Sequence, residues 1–206
     1  MRKERIVCSE MKSIKKKTEK TILLIDHNDS FTFNIVEVFR NLKQKIEVVN
    51  YVDITTEKVA NFDKIIFSPG PMLPKDYPKT FEILKQFYKT KQILGICLGH
   101  QIIAEFFKSQ LKNLKQVKHG VEQRIEILEK SSLFKDINSP TNVGLYHSWV
   151  VDAENFSSEI KITSRSTDNL IMSLEHKIHP IYGVQFHPES FLTKEGKQLL
   201  QNFIDL

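Results

Sequence analysis

Short apolar runs, each followed by residues at helical spacing, leave few folds open to this chain. Thr21-Ile-Leu-Leu-Ile-Asp26 reads as a buried parallel strand. Behind it Ser30 can cap a helix in which Phe31, Ile35, Val38/Phe39 and Leu42 recur at helical spacing. Lys45–Tyr51 and Lys64–Phe67 read as two further strands, the second running into Ser68-Pro-Gly-Pro71. Phe81, Leu84 and Phe87/Tyr88 predict a helix from about Tyr77 to Lys89, followed by a strand over Gln92–Ile96. Cys97 then opens another helix, carrying Ile102, Ile103, Phe106 and Phe107. Such alternation demands a parallel sheet with right-handed crossovers and helices on both faces. The second half is richer in strands: Gln123–Leu128, Val143–Val151, Glu159–Ser164, Leu170–His176 and Ile181–Phe186. A last helix, about Thr193 to Ile204, presents Leu199, Leu200 and Phe203 to the core. The expected class is α/β, an open and mostly parallel sheet with strands added in the second half.

Composition narrows the answer further. In 206 residues, 40% hydrophobic and 10% aromatic side chains are enough for one globular core and too many for a disordered chain. No uninterrupted apolar run reaches the ~18 residues of a membrane span, and the start lacks the apolar stretch of a secretory signal. Two cysteines, Cys8 and Cys97, cannot build a disulfide framework or a four-cysteine metal site. The net charge of +5 points toward nucleic acid only until it is located. Residues 1–20 hold eight basic and three acidic residues, and the remaining 186 hold 22 of each. The body is balanced, so neither nucleic acid nor membrane is expected as a partner. Residues 1–20 are expected to form a solvated, disordered extension, with Met11 as an alternative start, and residues 21–206 the domain. A soluble, cytoplasmic protein follows as the expectation.

Ligands of open α/β sheets sit at the carboxyl ends of strands, and three such ends carry unusual residues: Ser68–Pro71, Cys97–Gln101 and His187–Glu189. Gly95-Ile-Cys-Leu-Gly99 has the glycine spacing of a nucleophile elbow, with cysteine in the place of serine. Small residues two before and two after let the backbone turn sharply, leaving Cys97 exposed above the sheet at a helix N-terminus. There the helix dipole favours thiolate over thiol, and the Leu98 amide points to where an oxyanion forms. The plainer alternative is a buried core cysteine. Seven histidines compete as its base. His187 follows an apolar run and precedes Pro188 and Glu189, so that an extended turn brings Glu189 to the imidazole, as the third member of a triad does. A surface turn would explain the same residues. His100, three residues into the elbow helix, is expected to pack or bond locally.

Gly95-Ile-Cys-Leu-Gly-His-Gln101, Ser68-Pro-Gly-Pro71, Tyr146-His-Ser-Trp149 and Gly183-Val-Gln-Phe-His-Pro-Glu-Ser190 together resemble the class I (triad) glutamine amidotransferases, of flavodoxin-like architecture. Asp26-His-Asn-Asp-Ser-Phe-Thr32 and Phe191-Leu-Thr-Lys-Glu-Gly-Lys-Gln-Leu-Leu200 resemble, within them, component II of anthranilate synthase and of aminodeoxychorismate synthase. The resemblance implies a glutaminase that works through a γ-glutamyl thioester and sends ammonia to a chorismate-binding component I partner. By resemblance Cys97 is the nucleophile, His187 the base and acid, and Glu189 its orienter. Gly70 supplies the second oxyanion amide beside Leu98, within a glutamine-binding segment that continues through Pro71 and Met72. Gln101 and the main chain of Ser148 and Trp149 hold the amino-acid end of glutamine. No cofactor or metal is expected on this chain, and Mg2+ is expected on the partner.

Three places depart from the family pattern. Met72 stands where many relatives have glycine, which matters only if φ must be positive there. Lys108-Ser-Gln110 replaces the usual Gly-Gly, and Val117-Lys-His-Gly-Val121 keeps only the His-Gly of a loop in relatives. Two other readings compete: a γ-glutamyl peptidase on the same scaffold, and a non-catalytic subunit that only stimulates its partner. The product stays open: anthranilate, for tryptophan, aminodeoxychorismate, for folate, or both.

Overall fold

A computed structural model describes residues 21–206. The extension expected over residues 1–20, Cys8 included, lies outside the described residues. The first half runs β1 (Ile22–Asp26), α1 (Thr32–Asn41), β2 (Ile46–Asn50), α2 (Thr56–Ala60), β3 (Lys64–Phe67), α3 (Pro78–Phe87), β4 (Gln92–Ile96) and α4 (Leu98–Phe106). The second runs β5 (Leu111–Ile127), β6 (Thr141–Val151), β7 (Ile160–Ser166), β8 (Ile171–His176), β9 (Ile181–Val184) and α5 (Gly196–Asp205). Among the described residues all strands join one nine-stranded sheet in the order β2-β1-β3-β4-β9-β8-β7-β5-β6. The five strands from β2 to β9 are parallel, and β8, β7, β5 and β6 extend them in antiparallel fashion. The expected α/β class holds, with the strands of the second half widening the sheet.

Helices cover both faces of the parallel half because the runs Ile22–Ile25, Ile65–Phe67 and Ile93–Ile96 of its central strands are buried on both sides. Side chains alternate sides along a strand, so Leu23, Ile25, Ile65, Phe67 and Ile93 join one core with α3 and α4. Ile22, Leu24, Ile66, Leu94 and Ile96 join a second core with α1 and α5. The helices answer with stripes: Ile35, Val36 and Phe39 of α1, and Leu199, Leu200 and Phe203 of α5. Register places Gly95 opposite Gly183 and Ile96 opposite Val184, so β4 and β9 end level with each other. That alignment positions the site.

Several local expectations are corrected. Ser30 does not cap α1. Phe31 takes the N-cap position, and the turn is closed by Asp29 Oδ1 accepting from the Phe31 N–H (2.8 Å) and Asp26 Oδ1 accepting from the Thr32 hydroxyl (2.7 Å). Asp29 accepts the amide two residues on, an Asx turn that sets the helix start one residue later than Ser30. The five-residue α2 has no counterpart in the sequence reading; Thr55 caps it by accepting from Lys58 N–H (3.2 Å). Strand β5 starts at Leu111 instead of Gln123, and Val117–Val121 is part of it instead of a loop. Its register against β6 shifts around residues 113–121, where Gly120 takes φ +67°. The last strand stops at Val184 and the last helix starts at Gly196. Lys108, in the place of a glycine, takes φ +72°, whereas Met72 is not in the left-handed region, so its side chain is tolerated.

Candidate active site

Cys97 occupies the turn between β4 and α4 with φ 51° and ψ −101°, a conformation side chains rarely adopt. The turn is held from both sides. Cys97 N–H donates to the Val184 carbonyl (2.8 Å), and the Cys97 carbonyl accepts from Gln101 N–H (3.1 Å). A methyl group on Gly95 would fall 2.4 Å from the Gly99 carbonyl, and one on Gly99 would fall 2.5 Å from the Phe67 carbonyl. Only glycine lets helix and strands approach this closely. Gly95→Ala and Gly99→Ala are each expected to lose about 3 kcal/mol of stability. Urea denaturation checks this, and wild-type stability in both would show that the turn has room. One expectation fails: Cys97 is buried, not exposed, with 7% of its surface accessible. Residues that follow β9 close over it, Gln185 Nε2 lying 3.6 Å from Sγ.

His187 enters from the end of β9, its N–H bonded to the Gly144 carbonyl (3.1 Å). Its Nδ1 lies 2.7 Å from Glu189 Oε1, with both side chains buried. Glu189 reaches the ring through a turn closed by Ser190 N–H on the His187 carbonyl (3.1 Å), not through extended chain. Pro188 cannot donate, and Thr193 adds a hydroxyl bond to the same carbonyl (2.6 Å). Burial alone would push the imidazole pKa down, but the Glu189 carboxylate and the Cys97 sulfur carry it well above 6.5. Nε2 is buried without a hydrogen-bond partner among the described residues. The rings of Phe31 and Tyr146 stand edge-on to the imidazole at 5.0 and 4.9 Å.

Other histidines are set apart by environment. Burial pushes His27 and His100 down to about 3 and His147 to about 4, which keeps all three neutral. His100 packs against Gly183, where a methyl group would fall 2.8 Å from its Nδ1. That agrees with local packing. His27 bonds Ser68 Oγ through Nδ1 (3.2 Å) and Thr80 Oγ1 through Nε2 (2.9 Å), pinning the start of Ser68–Pro71.

The remaining residues singled out from sequence converge here. Gly70 lies against Leu98 and His27, and a methyl group on it would fall 2.4 Å from Leu98 Cδ2 and 2.9 Å from His27 Cβ, so this loop is tightly packed on the elbow. Pro71, Met72, Ser148 and Trp149 line one cleft of about 380 Å3. Gln101 links that cleft to the elbow by donating to the Trp149 carbonyl (2.9 Å). A larger groove of about 860 Å3, lined by residues 127–139 and α5, contains none of them. Sequence reasoning missed two site residues. Phe31, which helical spacing puts on the buried face of a helix, instead walls His187, and Gln185, one polar residue in an apolar run, lies against Cys97. Among the described residues no helix is long and apolar enough to cross a membrane, and no group of three or more His, Cys, Asp or Glu is placed to hold a metal ion.

Comparison with known proteins identifies the family. The family described as Glutamine amidotransferase class-I matches residues 23–206. A Haemophilus influenzae protein with the provisional name of anthranilate synthase component II is 42% identical over 183 residues, which cover 89% of this chain and 95% of that one. The aminodeoxychorismate/anthranilate synthase component 2 of Bacillus subtilis is 36% identical over 186 residues, covering 89% and 95%. A Thermoplasma acidophilum crystal structure, provisionally that of one GMP synthase subunit, superposes with a TM-score of 0.81 at 23% identity over 91% of this chain and 93% of that one, a likeness of fold.

Proposed function

This chain belongs to the class I glutamine amidotransferases, and we propose that it is the ammonia-supplying component II of a synthase that aminates chorismate. The observation that carries the reading is the meeting of Cys97 with the His187–Glu189 pair at the level ends of β4 and β9. In this mechanism the Cys97 thiolate attacks the side-chain carbonyl carbon of glutamine. The oxyanion is met by the amides of Leu98 and Gly70, preorganised donors of the kind that carry much of acyl-transfer catalysis. The tetrahedral species collapses, the C–N bond breaks, and His187 Nε2 delivers the proton with which ammonia leaves. His187 then takes a proton from water as it attacks the γ-glutamyl thioester, and glutamate departs with the sulfur again a thiolate. Glu189 holds the tautomer and supports the imidazolium. Gln101 and the main chain of Ser148 and Trp149 hold the amino-acid end of the substrate, beside Pro71 and Met72.

The freed ammonia has to reach chorismate on a second subunit, component I, to yield anthranilate or 4-amino-4-deoxychorismate; any Mg2+ requirement belongs to that subunit. Apolar side chains just beyond the carboxyl ends of β1, β3 and β9 support such docking, for Phe33, Met72 and Phe191 are exposed by 69%, 58% and 89%. The aromatic rings packed on His187 and the loop bearing Gly70 lie on the same rim, where a docked subunit can select the productive arrangement. The isolated chain is therefore expected to hydrolyse glutamine slowly and a saturating component I with chorismate to accelerate it about 5–150-fold. Steady-state glutaminase assays with and without the partner, with identification of the aminated product, test this. Full activity alone, unchanged by the partner, would favour an independent hydrolase.

A further inference from the structure

The segment after β9 bears a second polar side chain directed at the elbow. The chain bends after Val184, and both Gln185 and His187 stand against Cys97, while Phe186 between them enters the α1–α5 core. Gln185 is completely buried, and its N–H donates to the Met172 carbonyl (2.8 Å). Its side-chain Nε2 lies 3.6 Å from Cys97 Sγ, and its Oε1 accepts from Gln101 Nε2 (3.1 Å). Gln101 Nε2 also donates to the Trp149 carbonyl (2.9 Å), which accepts in addition from His147 Nδ1 (3.1 Å). A backbone carbonyl can only accept. It therefore turns the Gln101 amino group toward itself and toward Gln185. Gln185 must then give its oxygen to Gln101 and its amino group to the sulfur. One carbonyl of β6 thus orients two side-chain amides in series, and the sulfur is left as the acceptor at the end. A donor held on sulfur in a buried site favours the anion over the neutral thiol.

We propose that Gln185 is a positioning residue of the glutamine-hydrolysing site, donating a hydrogen bond that holds the Cys97 sulfur as an anion and ties it through Gln101 to the main chain of β6. The inference rests on the roles proposed above for Cys97 and for the Ser148–Trp149 segment. It joins the nucleophile to the substrate cleft through two side chains, so that occupancy of the one is felt by the other.

The test is alkylation by iodoacetamide across a range of pH, read by mass spectrometry at the Cys97 peptide so that Cys8 does not contribute. Wild type and Gln185→Met are compared, each with and without glutamine. Methionine keeps the length of the side chain and removes the donor. Alkylation at pH 7 is expected to slow about tenfold, the profile to move to higher pH, and kcat to fall by a similar factor while KM changes less. A role confined to packing would lower the thermal midpoint and leave the alkylation profile in place, and that result in a folded variant overturns the proposal. Gln185→Leu supplies the same comparison if Gln185→Met does not fold. Failure of glutamine to protect Cys97 in the wild type would count against the proposed function instead, and the comparison between variants would still decide the role of Gln185.

Discussion

Cys97→Ala is expected to lower glutamine-dependent amination by the assembled synthase about 10^4-fold or more, and to leave ammonia-dependent amination within about twofold of wild type. On the proposed mechanism the thiolate serves only to release ammonia, and amination takes place on the partner. Alanine is the informative replacement because it keeps the Cβ, and so keeps the strained φ of 51° that glycine would relax. The bonds that hold the turn run through main-chain atoms of residue 97 and survive the change. Both rates are measured on the purified complex, with glutamine or an ammonium salt as nitrogen source. Equal loss of both activities in an assembled complex would place Cys97 outside the chemistry.

His187→Ala is expected to cost about 10^4-fold or more in glutamine hydrolysis, and Glu189→Gln about 10^2- to 10^4-fold. On the proposed mechanism the first removes the group that moves the proton, and the second removes only its orienter. The reverse order would identify another base. Glu189→Gln carries a second expectation, in stability. The Glu189 carboxylate raises the folded-state pKa of His187 above its ordinary 6.5 against the opposing effect of burial. A raised histidine stabilises the fold fully below about pH 6.5, and that contribution fades as pH climbs through the raised folded value. The variant is therefore expected to be less stable by about 2 kcal/mol near pH 6 and to approach wild type under alkaline conditions. Urea denaturation at pH 6 and pH 9 measures both points, and a deficit that grows toward pH 9 would contradict the assignment.

Legibility from sequence followed burial. β1, β3 and β4 are covered on both faces, so their apolar runs stand out without any help from context. The Gly95–Gly99 spacing was equally plain, because a turn this tight admits no side chain at either end. The first dozen residues of β5 were illegible for the opposite reason. Lys112, Lys115, His119 and Glu122 are exposed, and with neither face consistently buried the period-two pattern never forms. What holds this stretch in the sheet is pairing with β6. Helical periodicity also misassigned Phe31, since it registers an apolar side chain and not whether the surface it covers belongs to a core or to the His187 imidazole. Gln185 shows the limit most clearly. Its partners are Cys97 and Gln101, 88 and 84 residues away, and no local pattern joins them.

The last strand made by the chain lies in the middle of the sheet. With β9 absent, β4 on one side and β8 on the other would both present unpaired backbone to any neighbour, including another nascent copy. The two halves of the molecule are sealed by four residues that leave the ribosome after the eight other described strands. The same event brings His187 to Cys97. Growing chains therefore pass through an interval in which they are at once open to misassembly and chemically idle, and closure of the sheet ends both conditions together.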